Sequence, residues 1–197
     1  MITIPQVFVI TGTPGTGKTT VSRILSNKLH AHHVELSSYS KENGYILEED
    51  EERDTSIVDM DALGVAIQKE ITGKKIVILD GHFGQDLLDP DDVERVFILR
   101  KQPWDLKTVL YQREYSSEKV WENLEAEIMG VITHQSTENY PVEKLVEVDT
   151  SGKTPEETVE EIIELIQEGK TTDFNPIDWI LNPETLGLLV SRPCTLS

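Results

Sequence analysis

Cysteine is almost missing from this chain. Cys194 is the only one in 197 residues, and it stands near the C-terminus. One thiol excludes a disulfide framework within the chain and fits a reducing compartment. Positive charge is also scarce. There are 18 Lys and Arg against 36 Asp and Glu, for a formal net charge of −18. Such a shell repels nucleic-acid phosphates, so extensive direct RNA or DNA binding is not expected. It solubilises the protein or attracts a basic protein partner. No apolar run is long enough to span a membrane. Met1 to Pro5 leads straight into an apolar strand, with no secretory pattern. No repeat or low-complexity segment is visible. The expectation is a soluble, cytoplasmic protein whose length suffices for one domain with a real core.

One short stretch carries the chemistry. Gly12-Thr13-Pro14-Gly15-Thr16-Gly17-Lys18-Thr19-Thr20 fits G-x-x-x-x-G-K-[ST] in full. It follows the apolar run Val7-Phe8-Val9-Ile10 and precedes Val21, Ile24, Leu25 and Leu29 at helical spacing. The motif therefore sits at a strand-to-helix turn. Backbone N–H groups and the helix N-terminus form a nest for anionic oxygens there. Lys18 adds a positive charge for β and γ phosphates, and the Thr19 hydroxyl can ligate Mg²⁺. This predicts a nucleoside triphosphate site and leaves its use open. A guanine reader is not in place. The only Asn-Lys is Asn27-Lys28-Leu29-His30, which lacks the Asp and falls inside the first helix.

Further along, His32 to Leu36 reads as a second strand. His30, His32 and His33 have no partner at metal-ligand spacing. Ser37 to Ser56 is polar and acidic and reads as a solvated loop, placed where small kinases of this topology hold their acceptor. Its cations, Lys41 and Arg53, are the candidates to meet an acceptor phosphate. Asp59 and Asp61 open a helix to about Ile71. Ile76 to Leu79 is a buried strand ending in Asp80, the candidate second Mg²⁺ residue. His82 follows at the carboxyl edge of the sheet, where it orients a water or a phosphate or simply caps the strand. Val93 to Leu99 is the fourth strand. Pro103 to Arg113 is a helix, and a long helix through Ile132 follows a break at Arg113-Glu114-Tyr115-Ser116, which reads as a small lid. Leu145 to Val148 is the fifth strand. Thr154-Pro155-Glu156-Glu157 opens the last main helix, and Ser151-Gly152-Lys153 before it is placed to meet an adenine ring and a phosphate. Ile177, Trp179 and the leucines after Gly169 make the tail too apolar for a plain disordered end, so it packs on the domain or docks a partner. The fold class expected is α/β, a three-layer parallel five-stranded sheet.

The combination resembles the adenylate kinase isoenzyme six family. The shared residues are Thr11 to Thr20, Glu51-Glu52-Arg53-Asp54 with Val58-Asp59-Met60-Asp61, Asp80-Gly81-His82, Leu99-Arg100, Arg113-Glu114-Tyr115, Glu122-Asn123 with Ala126-Glu127, and Ser151-Gly152-Lys153. The resemblance implies a nucleoside monophosphate kinase fold of strand order 2-3-1-4-5, spanning residues 1–169 with an extension over 170–197. It implies an acceptor segment at about 37–58 and a lid at about 112–119. It implies phosphoryl transfer from ATP to AMP with Mg²⁺, a weaker ATPase activity, and a part in maturing small-subunit ribosomal RNA through a basic ribosomal protein, in the cytoplasm or, in a eukaryote, the nucleus. Carried over by position, Gly12, Gly15, Thr16, Gly17, Lys18, Thr19, Thr20, Arg113 and Lys153 bind ATP. Lys41 and Arg53 bind AMP, Thr19 and Asp80 bind the metal, and Lys18, Asp80, His82 and Arg113 are catalytic. The chain departs from the family in a shorter helix before Arg113, and in Glu114 where relatives carry Gly.

Overall fold

The computed structural model describes residues 5–50, 55–169 and 174–192. Arg53 and Cys194 lie outside the described residues. Five parallel strands form the central sheet: β1 (Gln6–Thr11), β2 (His32–Glu35), β5 (Ile76–Asp80), β6 (Arg95–Arg100) and β7 (Leu145–Asp149). Their spatial order is β2-β5-β1-β6-β7. Counted among these five alone, that is the expected 2-3-1-4-5.

Side chains alternate across the sheet, and both faces are covered. Val7 and Val9 of β1, with Val77, Leu79, Val96 and Ile98, face α3 (Met60–Ile71) through Leu63 and Ile67. Phe8 and Ile10, with Ile78, Phe97 and Leu99, face α1 (Lys18–Leu29) and α7 (Pro155–Glu168) through Leu25, Val159 and Ile162. Two-sided burial explains why these strands read as unbroken apolar runs. Helix starts follow their caps. The Asp59 carboxylate accepts from Ala62 N at 3.0 Å, and Thr154 forms a capping box with Glu157.

Two sequence readings are corrected. First, the stretch read as a loop between Ser37 and Ser56 contains α2 (Leu36–Glu42) and an antiparallel hairpin of β3 (Ile46–Asp50) and β4 (Thr55–Val58). Leu36 and Ser40, four apart and buried, seat α2 on the domain, and Glu35 accepts from Ser37 N and Ser38 N to cap it. Second, the long helix divides into α5 (Ser117–Ile128) and α6 (Val131–Asn139). Gly130 takes φ 63 between them, the left-handed conformation that ends a helix at little cost to glycine. The apolar tail, expected to pack on the domain or to dock a partner, carries its own helix, α8 (Pro183–Val190). It packs on the domain, with Leu188 against the cluster of Leu106, Leu110, Val120, Trp121 and Leu124.

The helix α4 (Pro103–Gln112) ends in a Schellman motif. Tyr115 N donates to Leu110 O at 3.4 Å and Glu114 N to Tyr111 O at 3.0 Å. Glu114 adopts φ 59 to make this turn. A non-glycine residue thus holds a conformation that glycine adopts freely, and it carries the strain. Glu114→Gly is expected to raise stability by about 1 kcal/mol, with Glu114→Val lowering it. Urea unfolding of the two variants checks this, and a loss of stability in Glu114→Gly would contradict it.

Candidate active site

The phosphate loop is moulded by close contacts that leave no room for side chains. A Cβ on Gly12 would meet Leu99 O at 2.4 Å, and one on Gly15 would meet Leu106 Cδ1 at 2.8 Å. Both residues also hold positive φ, 140 and 96. The loop is closed from within. Thr16 N and Thr16 Oγ1 both donate to Thr13 O, at 3.3 and 2.9 Å. Lys18 Nζ folds back to donate to Gly12 O at 2.8 Å and Thr13 O at 3.1 Å. Behind the loop, Thr150 Oγ1 donates to Thr16 O at 3.2 Å and to Arg100 O at 2.9 Å, joining the end of β7 to the loop.

In front of the loop lies a cleft of about 590 Å³. Gly15, Gly17, Lys18, Thr19 and Thr20 form its floor. Asp80 and His82 come from the carboxyl end of β5, in register beside β1, where Ile10 pairs with Asp80. Arg113, Tyr115 and Lys119 enter from the α4–α5 junction, with Lys119 Nζ 4.6 Å from the Tyr115 ring centroid. Ser37 and Ser40 of α2, and Ile46, Ser56 and Val58 of the hairpin, close the far side.

The electrostatics of the cleft follow from enclosure. Burial pushes the Lys18 ammonium down to about 8, with Asp80 drawing it up and Arg113 pushing it further down. His82 is pushed down to about 4 by the enclosing walls first and the Lys18 charge second. Its ring is therefore neutral at physiological pH, and Phe83 meets it edge-on at 4.8 Å. Asp80 is 1% exposed, and its Oδ2 has no hydrogen-bond partner among the described residues. His33 Nε2 lies 3.6 Å from it, itself without a hydrogen bond among the described residues. An orphaned buried carboxylate oxygen facing a hydroxyl-bearing phosphate loop fits a hard divalent cation such as Mg²⁺. Among the described residues no group of three or more His, Cys, Asp or Glu is placed to hold a metal.

Not every residue expected at the site lines this cleft. Gly12 and Thr16 support the loop from behind. Lys41 stands on the last turn of α2, outside the lining. Lys153 also lies apart, with its ammonium on Glu161 Oε2 at 2.7 Å. Glu35 lines the cleft and was not expected there. It is the last residue of its strand, as Asp80 is of β5, but β2 has no apolar run to mark that end. The sequence gives no sign that Glu127 holds Thr13 Oγ1, at 2.6 Å.

A family model described as an AAA domain matches residues 9–130. The chain belongs to that family. It is 40% identical over 174 residues to a Pyrococcus furiosus protein named "Putative adenylate kinase", spanning 88% of this chain and 91% of the relative. A Methanococcus maripaludis protein of the same name is 38% identical over 180 residues, covering 89% and 96%. Among solved structures, shikimate kinase from Acinetobacter baumannii superposes with a TM-score of 0.58 at 15% identity, over 86% of this chain and 97% of that one. This likeness shows that the fold is that of small phosphate-loop kinases. No helix among the described residues is long and apolar enough to cross a membrane.

The depressed Lys18 sets a pH dependence. Between about pH 8 and 10.5 the unfolded chain binds more protons at this lysine than the folded one. The group therefore disfavours the fold below that window, and the cost fades as pH rises through it. An anionic ligand draws the lysine back toward its charged form. Triphosphate binding at pH 8 is expected to take up about half a proton. Affinity is expected to fall up to about tenfold per pH unit above that point. Calorimetry in buffers of different ionisation enthalpy measures both, and proton release on binding would contradict the assignment.

Proposed function

We propose that this protein is a nucleoside monophosphate kinase of the adenylate kinase type, transferring the γ-phosphoryl group of ATP to AMP. One observation carries the reading: a single cleft joins a complete phosphate loop to a second compartment walled by α2 and the β3–β4 hairpin. A simple ATPase needs no such compartment. The names of the archaeal relatives agree with it.

An oxygen of the acceptor phosphate attacks the γ phosphorus as the bond from that phosphorus to the β-bridging oxygen breaks, leaving two molecules of ADP. The acceptor phosphate is already anionic, so no general base is required. The work of the protein is alignment and charge neutralisation. Backbone N–H groups of Gly15 to Thr19 cradle the donor phosphates. Lys18 exchanges its carbonyl partners for phosphate oxygens. Arg113 and Lys119 supply positive charge from the α4–α5 side. Thr19 and Asp80 would hold Mg²⁺, which when bound neutralises charge on the donor phosphates. Lys41 and Arg53 remain the acceptor cations on the family pattern. Lys41 would have to reach in from outside the cleft lining. The neutral His82 ring can accept a hydrogen bond from water, which supports a slower ATPase reaction when no acceptor is bound.

A second reading is favoured by the net charge of −18. An ATP-driven assembly factor would use that acidic surface to hold a basic small-subunit ribosomal protein and to act in ribosomal RNA maturation. It predicts retention of such a protein at low salt and release at high salt.

ADP formation from ATP, measured with and without AMP, tests the principal reading. AMP is expected to accelerate it strongly. ATP hydrolysis that AMP leaves unchanged would sink the kinase assignment. Lys18→Ala is expected to abolish both reactions with the fold intact by thermal melting. His82→Ala is expected to slow hydrolysis more than AMP phosphorylation, and equal losses would remove its special role.

A further inference from the structure

The C-terminal segment plays no part in the chemistry above, yet it is tied to the phosphate loop through one carboxylate. Glu127, on α5, is 1% exposed. Its Oε1 accepts from Trp179 Nε1 at 3.0 Å, from Arg100 Nε at 2.8 Å and from Lys101 N at 3.1 Å. Its Oε2 accepts from Thr13 Oγ1 at 2.6 Å. Thr13 is the residue whose carbonyl receives Lys18 Nζ and both donors of Thr16. The indole of the tail and the hydroxyl of the loop therefore hold the two oxygens of the same side chain.

A second route runs through packing. Leu188 of α8 rests on the cluster that contains Leu106 and Leu110. Those two leucines press against Gly15, where a Cβ would meet them at 2.8 and 3.2 Å. The segment is fastened at both ends, by Ile177 N donating to Glu147 and by an ion pair between Arg192 and Glu125.

We propose that Glu127 is a positioning residue of the phosphate loop, and that docking of segment 174–192 and binding of the triphosphate stabilise each other. The proposal rests on the nucleotide reading given above. Its physical basis is preorganisation. The loop N–H groups must converge before phosphate arrives, and a loop already pinned at Thr13 loses less freedom on binding. Linkage makes the effect reciprocal, so bound nucleotide tightens the tail by the same factor. A tail that merely covers apolar surface needs the Trp179 ring and Leu188. It does not need an indole N–H aimed at the carboxylate that holds Thr13.

The test uses the full chain. Trp179→Phe keeps an aromatic ring, smaller than the indole, and removes the N–H, and Thr13→Val keeps the shape and removes the hydroxyl. Each is expected to weaken Mg-ATP binding about three- to tenfold. The loss should appear in the KM for ATP far more than in kcat, a split that general loosening of the fold does not produce. The double variant is expected to lose little more than the worse single one, because both act through Glu127. In the native chain, amide exchange over 174–192 is expected to slow when Mg-ATP is added. Trp179→Phe with native ATP affinity, losses that multiply in the double variant, or unchanged exchange in the native chain would each overturn the coupling. A native chain that binds no Mg-ATP would overturn the nucleotide reading and the coupling with it. Native binding combined with an indifferent tail removes the coupling alone.

Discussion

The structure hangs on a buried ionic knot. Arg100, at the end of β6, is 2% exposed and lies between Glu127 and Glu147. Burial opposes its charge, and the two carboxylates more than offset this and keep it protonated. Its remaining donors reach Thr133 Oγ1 at 3.1 Å, Glu127 O at 2.9 Å and Ile177 O at 3.4 Å. The carboxylates are satisfied in turn by Thr13, Lys101 N, Trp179 and Ile177 N. Such a knot is weak evidence for net stability, since desolvation offsets much of the Coulomb attraction. Its value is geometric. Two anions and one cation buried together tolerate few arrangements, so the sheet edge, α5, α6, the tail and the phosphate loop share one register.

That rigidity matters because the cleft gathers like charges. Lys18, Arg113 and Lys119 line one cavity in a protein that carries a net charge of −18. Burial is the main reason that Lys18 is half discharged near pH 8, and the Arg113 charge adds to it. At long range the acidic shell repels an anionic nucleotide, and within a Debye length the cleft attracts it. Selectivity for phosphate thus resides in the pocket, and the outer surface is left free for other charge partners.

How much of this the sequence discloses depends on the range of each interaction. The phosphate loop is legible because its chemistry is local: glycines, a lysine and a threonine at fixed offsets between a strand and a helix. Asp80 is legible because a strand end is a local mark. The break at Arg113 is legible from lost periodicity. Glu127 is not, because its partners Thr13, Arg100 and Trp179 come from three distant segments. The stretch from α2 through the hairpin is misread as a loop because it has few apolar residues and a run of acids. Tyr39 stacked near-parallel on Tyr45, with ring centroids 6.3 Å apart, supplies contacts that no pattern of spacing announces. Lys153 reads as a phosphate contact by position, and its nearest carboxylate, Glu161, is a helix neighbour that only the folded turn brings to it.

The two halves of the cleft are built to different standards, and this asymmetry fits a two-substrate reaction. The donor half rests on the sheet, on Gly12 pressed against Leu99 O and on the ionic knot. On the proposed reading the acceptor half is a short helix and a two-stranded hairpin, and a lone hairpin is marginal in water. The hairpin leaves Leu47 67% and Ile57 55% exposed and reaches the core through Tyr45 and Val58. Local stability follows burial, so the acceptor wall opens at lower free energy than the floor. Phosphoryl transfer needs a fixed donor, because the in-line geometry is set at the γ phosphorus. It tolerates a yielding acceptor wall, because product must leave after each turnover. The buried polar contacts behind Thr13, through Glu127 and Arg100, fix the loop that the donor phosphates would meet.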